Sequence, residues 1–439
     1  MTKPIFHLQP ETNWVNDPNG PSFIGGKFHM FYQHNPFGPV WGNMTWGHAV
    51  SPDMARWRRL PHALHPDMPY DKDGVFSGCC VVKDGAPHII YTGTYPETVC
   101  MAVGDGDGTH FTKFSGNPIL TNGGRKLRGW RDPYIWPEAG GYRMLIGSGD
   151  DGGAFVEIYE GDDLYNWRCA GRLAEAKVLG LDDTMWECPV MMFGDDGPAV
   201  LLVSAIPSFR VKRIAGVYRD GAFTGLTWDE ADLGDCIYAP NLVKHPDGRW
   251  IMFSWLREGG AEADRVAQGW QGMLSVPREL RVENGCLFVN PATELKTLRG
   301  GRLAEFSPGT QAAAVETGLH FEIEADIFLG GDGKAIFDLL CDGDGYSARI
   351  ELSREGVRLI RSQLSGVPGE IVGGSPLPLE NHIRIFVDGT AIEIFINGRE
   401  TLTTRVYTAT ACLFNFTATG ECRANKLEVY SLMSCYLND

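Results

Sequence analysis

The stretch NDPNGPSFIGGKFHMFYQ, from Asn16 to Gln33, has a layout that recurs along much of this chain. A polar opening beside a proline is followed by an apolar run, a Gly-Gly turn and a second apolar run rich in aromatic residues. Gly25-Gly26 can supply the positive φ angles that a tight hairpin turn needs. The stretch therefore predicts two antiparallel strands joined by a short turn.

The same layout returns four more times, at intervals of about sixty residues, which is the spacing expected of a repeat architecture. The further copies are FSGCCVVKDGAPHIIYTGT (from Phe76), RDPYIWPEAGGYRMLIGSG (from Arg131), ECPVMMFGDDGPAVLLVSA (from Glu187) and YAPNLVKHPDGRWIMFSWL (from Tyr238). Their predicted turns are Asp84-Gly85, Gly140-Gly141, Asp195-Asp196-Gly197 and Asp247-Gly248.

A third short apolar run follows each hairpin, and a fourth often carries a large aromatic residue. The third runs are TWGHAVS, VCMAVGD, AFVEIYEG, RIAGVYRD and GWQGMLSVP, and the aromatic residues are Trp57, Phe111, Trp167 and Phe223. Five units of four strands predict a five-bladed β-propeller over residues 1–297. The spacing alone would also allow an array of sandwiches, but the shared start of the first strands favours the propeller.

The pattern changes after Pro291. The stretch NPATELKTLRG, from Asn290 to Gly300, predicts a short helix or linker. Later runs such as LHFEIEADIFL and NHIRIFVDGTAIEIFING alternate apolar and polar residues, as half-buried antiparallel strands do. They predict a β-sandwich over residues 303–439 that supports the first domain or contacts carbohydrate, so the predicted fold class is all-β.

Charge and cysteine usage exclude several classes of partner. The formal net charge of −16 repels nucleic acid and anionic membranes at long range but not a neutral sugar. The eleven cysteines form no CxxC pair or zinc spacing, so free thiols in a reducing compartment are expected. The start of the chain lacks a cationic stretch followed by an apolar run, and we expect a cytoplasmic protein with no membrane span. The oligomeric state is not predicted.

Three acids belong to the predicted first strands of the units. In a propeller the innermost strands line a central channel, so Asp17, Ser77, Asp132 and Glu187, near the starts of those strands, are expected to gather at one end of it. Taken singly, each acid has a plain structural alternative. Asp17 could serve only the Asn-Asp-Pro-Asn-Gly turn, Asp132 could form a surface ion pair, and Glu187 could be a buried partner of Arg131.

Several acids in one channel match the chemistry of glycosidic bond cleavage. That reaction uses two carboxyl groups, which lie about 5–5.5 Å apart in enzymes that retain the anomeric configuration. No metalloprotease motif, Walker motif or dinucleotide fingerprint occurs in the sequence. The histidines show no pairing typical of a metal site. The sequence therefore predicts a glycosidase that requires neither a metal nor a cofactor.

The ordered motifs resemble glycoside hydrolase family 32, the β-fructofuranosidases. The motifs that carry the resemblance are WVNDPNG (Trp14 to Gly20), FYQHNP (Phe31 to Pro36), WGNMTWGHAVSPDMARW (Trp41 to Trp57), FSG (Phe76 to Gly78), WRDP (Trp130 to Pro133), WECP (Trp186 to Pro189), GDCIYAP (Gly234 to Pro240) and GWQGMLSVPREL (Gly269 to Leu280). They span nearly the whole chain in the family's order. The family's fold, a five-bladed propeller followed by a β-sandwich, agrees with the repeats.

The resemblance implies a role for each matched residue. Asp17 would be the nucleophile, Glu187 the acid/base, and Asp132 the residue that stabilises the transition state. The substrate would be sucrose or a short fructo-oligosaccharide. The implied substrate-binding residues are Trp14, Asn16, Gln33, Trp41, Trp46, Phe76, Ser77, Arg131, Asp235, Tyr238 and Trp255, with Trp14, Trp46 and Phe76 as apolar walls. Cys236-Ile237 departs from the aromatic that many relatives carry before the tyrosine, in the outer subsite for the leaving group.

Alternatives remain open at this point. A fructan exohydrolase or a fructosyltransferase would use the same catalytic residues. A non-catalytic propeller could bind carbohydrate, although neutral sugars do not need three carboxylates. An inverting propeller hydrolase acting on arabinose or xylose would also use three acids, but with a wider separation between Asp17 and Glu187.

Overall fold

A computed structural model describes residues 3–195, 197–259, 262–283, 285–342, 345–361, 369–407 and 412–437. Asp196 of the predicted fourth turn lies outside these ranges. The protein is nearly all-β, as expected, and its strands form seven sheets within the described ranges. The helices found there are α1 (Glu262–Ala267) and two 3₁₀ helices, Ala176–Leu179 and Thr293–Leu298. In the described part of the chain, no helix has the length and apolar character needed to cross a membrane.

Five sheets follow one another along the chain. The first contains β1 (Asn13–Ile24), β2 (Lys27–Asn35), β3 (Thr45–Ser51) and β4 (Arg58–Leu64). The second contains β5 (Gly74–Lys83), β6 (Ala86–Thr94), β7 (Thr98–Gly104), β8 (Phe111–Lys113) and β9 (Leu120–Thr121). The third contains β10 (Gly129–Glu138), β11 (Gly141–Asp150), β12 (Gly153–Gly161) and β13 (Arg168–Glu175). The fourth contains β14 (Met185–Phe193), β15 (Pro198–Ile206), β16 (Arg210–Arg219) and β17 (Ala222–Glu230).

The fifth sheet departs from the predicted pattern. It contains β18 (Ile237–Lys244), β19 (Trp250–Leu256), β21 (Met273–Leu274), β22 (Arg278–Glu283) and β23 (Cys286–Pro291). The run GWQGMLSVP was expected to be its third strand, and this is confirmed only for β21, which pairs with β19. The run is split at Gly272, and its first half, β20 (Trp270–Gln271), pairs in parallel with β1 of the first sheet. Gly272 has a φ of 80°, which ends the strand there.

The predicted hairpins explain the antiparallel order of these sheets. Gly25-Gly26 and Asp84-Gly85 have positive φ at both positions, as tight hairpin turns require. The first strands contact one another in cyclic order: β1, β5, β10, β14, β18 and again β1. One hydrophobic core runs through these sheets. The starts of all five first strands therefore come together.

A β-bulge interrupts β1, β10, β14 and β18 near the start of each strand. In β10 the paired residues are Arg131 and then Tyr134, in β14 Glu187 and then Val190, and in β18 Tyr238 and then Asn241. The first bulged residues, Asp132, Cys188 and Ala239, have φ angles of 65°, 47° and 48°. Such bulges turn side chains in new directions.

The remaining strands form two six-stranded sheets, called here the C-terminal sheets. Their strands are β24 (Arg299–Phe306), β25 (Ala312–Glu316), β26 (His320–Leu329), β27 (Lys334–Asp342), β28 (Gly345–Ser353), β29 (Gly356–Arg361), β30 (Glu370–Gly373), β31 (Glu380–Asp388), β32 (Ala391–Ile396), β33 (Glu400–Arg405), β34 (Leu413–Thr419) and β35 (Cys422–Leu432). The sheet orders are β24-β35-β26-β31-β32-β33 and β25-β34-β27-β28-β29-β30. A second hydrophobic core lies among these strands.

Buried charges join the C-terminal sheets to the rest of the molecule. Arg278, the first residue of β22, bonds to Glu393 and Asp232 within the junction. His7 contacts Asp388 at 2.7 Å and Glu393 at 2.9 Å. Because a buried charge is costly unless it is paired, these contacts fix how the two parts meet.

Candidate active site

The structure brings Asp17, Asp132 and Glu187 together from the first, third and fourth sheets. Cys188 links them, because its thiol lies 3.6 Å from Asp17 Oδ2 and 3.4 Å from Asp132 Oδ2. Its backbone N–H also donates to Asp132 Oδ2 at 2.9 Å. We call these three acids the acid cluster. Their convergence at the shared end of the first strands was expected from the sequence.

The acids do not occupy equivalent strand positions, although the repeated strand starts predicted that they would. Relative to the bulge, Glu187 is the last paired residue of β14, Asp132 is the first bulged residue of β10, and Asp17 is the second bulged residue of β1. The bulges rotate successive side chains, so three different positions can point into one space.

A hydrogen-bonded row joins three side chains that occupy the same position in three consecutive sheets, namely Arg131, Glu187 and Tyr238. Arg131 Nε and Nη2 donate to Glu187 Oε1 at 3.0 and 2.8 Å. The Tyr238 hydroxyl donates to Glu187 Oε2 at 2.6 Å. Arg131 also forms an ion pair with Glu97. Glu187 is thus paired with Arg131, as its structural alternative predicted, while its side chain stays 18% exposed.

Asp17 is partly exposed and held from two sides. The Ser77 hydroxyl donates to Oδ2 at 2.5 Å, and the Asn16 amide donates to Oδ1 at 3.0 Å. Trp14 Nε1 in turn donates to Asn16 Oδ1 at 2.7 Å. Removal from water raises the pKa of Asp17 to about 6, although the bonds from Ser77 and Asn16 oppose the rise.

Asp132 is buried at the centre of the cluster. Burial raises its pKa to about 7; Arg131 opposes this rise, while the negative charges of Glu187 and Asp17 add to it. Its backbone N–H donates to Thr92 Oγ1 at 2.9 Å. The corresponding N–H groups of Cys188 and Ala239 donate to Asp132 and to Ser204 Oγ. Each of these bulged residues is therefore tied to a side chain of the preceding sheet.

Aromatic side chains lie on both sides of the acid cluster. Trp14 and Trp255 meet edge to face with ring centroids 5.6 Å apart, and Trp255 lies 6.3 Å from Tyr238. On the other side, Trp41 meets Phe76 at 5.9 Å and is 58% exposed. Flat aromatic faces suit the apolar faces of sugar rings.

Two of the predicted binding residues lie behind the site. Trp46 was expected to form an apolar wall, but it is fully buried: its indole N–H donates to the Phe76 carbonyl and its ring packs against Phe31 and Tyr91. Gln33 is also buried, opposite the bulge of β1, and donates to the Val75 carbonyl at 3.0 Å. Both support the residues in front of them.

Asp235 belongs to the junction with the C-terminal sheets. Its carboxylate pairs with Arg361 Nη2 at 2.8 Å and accepts a bond from Thr404 at 3.3 Å. The structure therefore does not join Asp235 to the acid cluster, contrary to the expectation from GDCIYAP. A strand-start motif does not reveal a partner supplied by another domain.

Several residues of this region escaped the sequence analysis. Cys188 and Glu97 contact the acids or Arg131, and the Asn241 amide bonds to the carbonyls of Pro18 and Gly78 from two other sheets. Tyr95 extends the exposed aromatic rim, at 6.2 Å from Phe76. Cys188 and Asn241 directly flank a strand-start proline, and that signal could have identified them. Within the described ranges, no group of three or more His, Cys, Asp or Glu residues could hold a metal ion.

Comparisons with known proteins agree with these features. Residues 7–291 match the glycosyl hydrolases family 32 N-terminal domain, and residues 294–431 match the family's C-terminal domain. A sucrose-6-phosphate hydrolase of Zymomonas mobilis is 32% identical over 434 residues, covering 91% of this chain and 84% of that protein.

Two solved structures share the fold over nearly the full chain. Fructan 1-exohydrolase IIa from Cichorium intybus has a TM-score of 0.86 at 22% identity and covers 100% of this chain and 98% of its own. A β-fructofuranosidase from Bombyx mori has a TM-score of 0.83 at 26% identity, with 99% and 95% covered. A non-catalytic carbohydrate-binding protein is no longer a suitable interpretation, because the chain belongs to glycoside hydrolase family 32 and is a glycoside hydrolase.

Proposed function

We propose that this enzyme releases terminal β-linked fructose from sucrose or short fructo-oligosaccharides with retention of configuration. The observation that carries the proposal is the acid cluster. Three acids from three sheets converge around Cys188, and one of them, Asp17, is partly exposed and oriented by Ser77 and Asn16. Binding a neutral sugar does not require this concentration of negative charge, whereas a positively charged transition state is stabilised by it.

In the proposed first step the ionised carboxylate of Asp17 attacks C2 of the fructosyl unit. The bond from C2 to the leaving oxygen breaks, and the proton of Glu187 goes to that oxygen. A covalent fructosyl-enzyme results. The row from Arg131 to Tyr238 holds both carboxyl oxygens of Glu187, so it fixes the direction in which the proton is delivered.

In the second step Glu187 acts as a base. It takes a proton from water, the water oxygen bonds to C2, and the ester bond to Asp17 breaks. Asp132 would hold fructosyl hydroxyls and stabilise the charge on C2. Transfer to a second sugar would follow the same path with a sugar hydroxyl in place of water. The enzyme would need no metal or cofactor for either step.

The proposal extends to the architecture. The cyclic contacts of the first strands support a five-bladed β-propeller, and the two C-terminal sheets support a β-sandwich. Domain limits of 1–297 and 303–439 are supported by the change of core and by the 3₁₀ helix Thr293–Leu298 at the end of the first range. A cytoplasmic location is proposed as well, supported by the eleven free cysteines.

Sucrose 6-phosphate is a second candidate substrate. The Zymomonas relative is a sucrose-6-phosphate hydrolase. In this chain the Arg257 guanidinium lies 4.7 Å from the ring centroid of Phe209 and 5.7 Å from that of Tyr238, whose hydroxyl bonds to Glu187. A positive charge beside the ring of Tyr238, which bonds to the proposed acid Glu187, would favour an anionic leaving group.

One set of assays tests these proposals. Purified enzyme is incubated in parallel with sucrose, sucrose 6-phosphate, kestose, inulin and levan, and with sucrose plus methanol. Fructose release and a methyl β-fructofuranoside product are expected; the α-anomer would contradict retention. Arg257→Gln should lower kcat/KM for sucrose 6-phosphate at least ~10-fold, because it removes about one charge-assisted contact. It should leave kcat/KM for the other substrates unchanged.

Variants of the acids complete the test. Asp17→Asn should keep the fold and remove nearly all fructose release, a loss of at least about 10³-fold in kcat, because the nucleophile is gone. Asp84→Asn, in a hairpin turn away from the acid cluster, is the matched control and should behave like the wild type. Wild-type turnover by Asp17→Asn would overturn the assignment of the nucleophile.

A further inference from the structure

Glu258 is a buried acid outside the acid cluster, with a side chain that is 1% exposed. Its Oε1 atom accepts the Gly272 N–H at 2.9 Å and pairs with Arg405 Nη2 at 2.9 Å. Its Oε2 atom accepts the Tyr407 hydroxyl at 2.6 Å, and that hydroxyl accepts the Gly259 N–H at 2.7 Å. We call Glu258, Gly272, Arg405 and Tyr407 the Glu258 hub. It joins the C-terminal sheets to the segment after β19.

The hub holds the segment that ties the first sheet to the fifth. Residues 270–271 pair with Asn13 and Trp14 of β1, and residues 273–274 pair with Leu256 and Trp255 of β19. Gly272 lies between the two pairings. A Cβ atom on it would stand 1.9 Å from the Val15 carbonyl oxygen, so the segment packs directly on β1.

The strand pairings of this segment extend to the proposed sugar site. The segment pairs with Trp14 of β1 and with Trp255 of β19, and the ring centroids of these two residues are 5.6 Å apart. From Trp14 a chain of hydrogen bonds leads through Asn16 to Asp17. A displacement of the segment would therefore move one aromatic wall of the site, whereas the Ser77 hydroxyl would still hold the carboxylate of Asp17.

Stability alone gives a weak reason for the hub. Taking a carboxylate and a guanidinium out of water costs about as much as their mutual attraction returns, so buried ion pairs often add little net stability. A buried pair does fix geometry, because removing either partner leaves an uncompensated charge. The Glu258 hub accordingly holds the segment in one arrangement.

We propose that Glu258, held by Arg405 and Tyr407, is a positioning residue that sets the spacing of Trp14 and Trp255 on one side of the acid cluster. The C-terminal sheets thereby take part in substrate binding without touching the substrate. The kinetic part of this inference rests on the proposed release of fructose from sucrose.

Tyr407→Phe tests the proposal with the loss of a single hydroxyl. Hydrogen exchange at the amides of residues 270–274 should become faster, and KM for sucrose should rise roughly 5- to 10-fold while kcat changes less than about 2-fold. Glu258→Gln should act in the same direction and more strongly. The acid cluster keeps its own bonds in both variants, which is why kcat is expected to hold.

Tyr436→Phe is the matched control. Its hydroxyl accepts the Gln9 N–H at 2.9 Å and donates to the His7 carbonyl at 3.1 Å, so the variant also loses buried bonds but none of the segment's contacts. It should leave both KM and exchange at residues 270–272 unchanged; Leu274 is left out of this comparison because its N–H bonds to the Leu8 carbonyl, in the stretch that Tyr436 holds. Unchanged exchange in Tyr407→Phe, or an equal rise of KM in the control, would overturn the inference. A wild type that releases no fructose would refute the proposed function instead, and the exchange data would still decide the role of the hub.

Discussion

At the scale of single residues, the site combines groups that favour ionisation with groups that oppose it. Asp17 loses water on folding and lies near Glu187, and both effects raise its pKa, whereas Ser77 and Asn16 lower it. The resulting pKa of about 6 places the ionised form of Asp17 in the neutral range. The nucleophile therefore becomes available as the pH rises through that value.

The pH profile tests the part played by Ser77. In the wild type, kcat/KM for fructose release should rise with pH and level off above about 6, the pKa of Asp17. Ser77→Ala removes a bond that favours the carboxylate, so the acid limb should move up by about half a pH unit or more. A limb that stays in place or moves down would contradict this account.

The identities of the acids were predictable from sequence, but their partners were only partly so. Asp17 and Asp132 precede prolines at strand starts, and Glu187 sits in a motif of the same kind, so all three stood out. Trp46 carried the same aromatic signal as Trp14, yet it is buried behind Phe76. Asp235 was predicted to bind substrate, but its carboxylate pairs with Arg361. Side-chain direction at a bulge depends on local φ and ψ, which motif spacing does not record.

At the scale of strands, the repeated bulge is the feature that builds the site. Ala239 illustrates its requirements, because it adopts a φ of 48° and its N–H bonds to Ser204 Oγ at 2.9 Å. Its neighbour Tyr238 then reaches Glu187. The backbone conformation at this position is rarely adopted by residues with branched side chains.

Paired substitutions at Ala239 test this requirement. Ala239→Gly should fold and keep the wild-type KM, because glycine adopts positive φ without strain. Ala239→Val should lower the free energy of unfolding by roughly 1–3 kcal/mol and lower kcat as well, since the strained backbone displaces Tyr238. Urea unfolding and steady-state kinetics would measure both effects. Equal stability of the two variants would show that the bulge does not constrain the side chain.

Strand positions were the part of the fold most open to prediction, since Gly and Asp-Gly turns mark four of the hairpin ends clearly. The run GWQGMLSVP was the exception. Its apolar pattern suits a strand in either sheet, and only the close contact of Gly272 with Val15 decides that its first half joins β1. Pairing with a strand more than 250 residues earlier leaves no local signal.

At the scale of the whole molecule, charged side chains hold the sheets of the two regions together. Three backbone N–H groups, of Ile5, Phe6 and His7, donate to the carboxylate of Asp388. Burial alone would lower the pKa of His7, but hydrogen bonds to Asp388 and Glu393 raise it to about 9. Protonated His7 thus joins two acids that would otherwise repel each other.

The pH dependence of stability tests this junction. The pKa of His7 is higher in the folded protein than in the unfolded chain, whose value is near 6.5. Its contribution is therefore complete below that pH and is lost as the pH rises through about 9. The free energy of unfolding should fall between pH 6.5 and 9.5 in the wild type, and the fall should be smaller by about 1–2 kcal/mol in His7→Gln. His110→Gln, at an exposed histidine, should keep the wild-type slope.

The row of Arg131, Glu187 and Tyr238 has a consequence for how such an enzyme can change. One backbone position, repeated in three consecutive sheets with the same pairing, carries a cation, an acid and a phenol. The backbone at this position therefore does not determine which side-chain chemistry it carries. New activities could arise by exchanging one side chain in one repeat, while the remaining repeats preserve the scaffold that presents it.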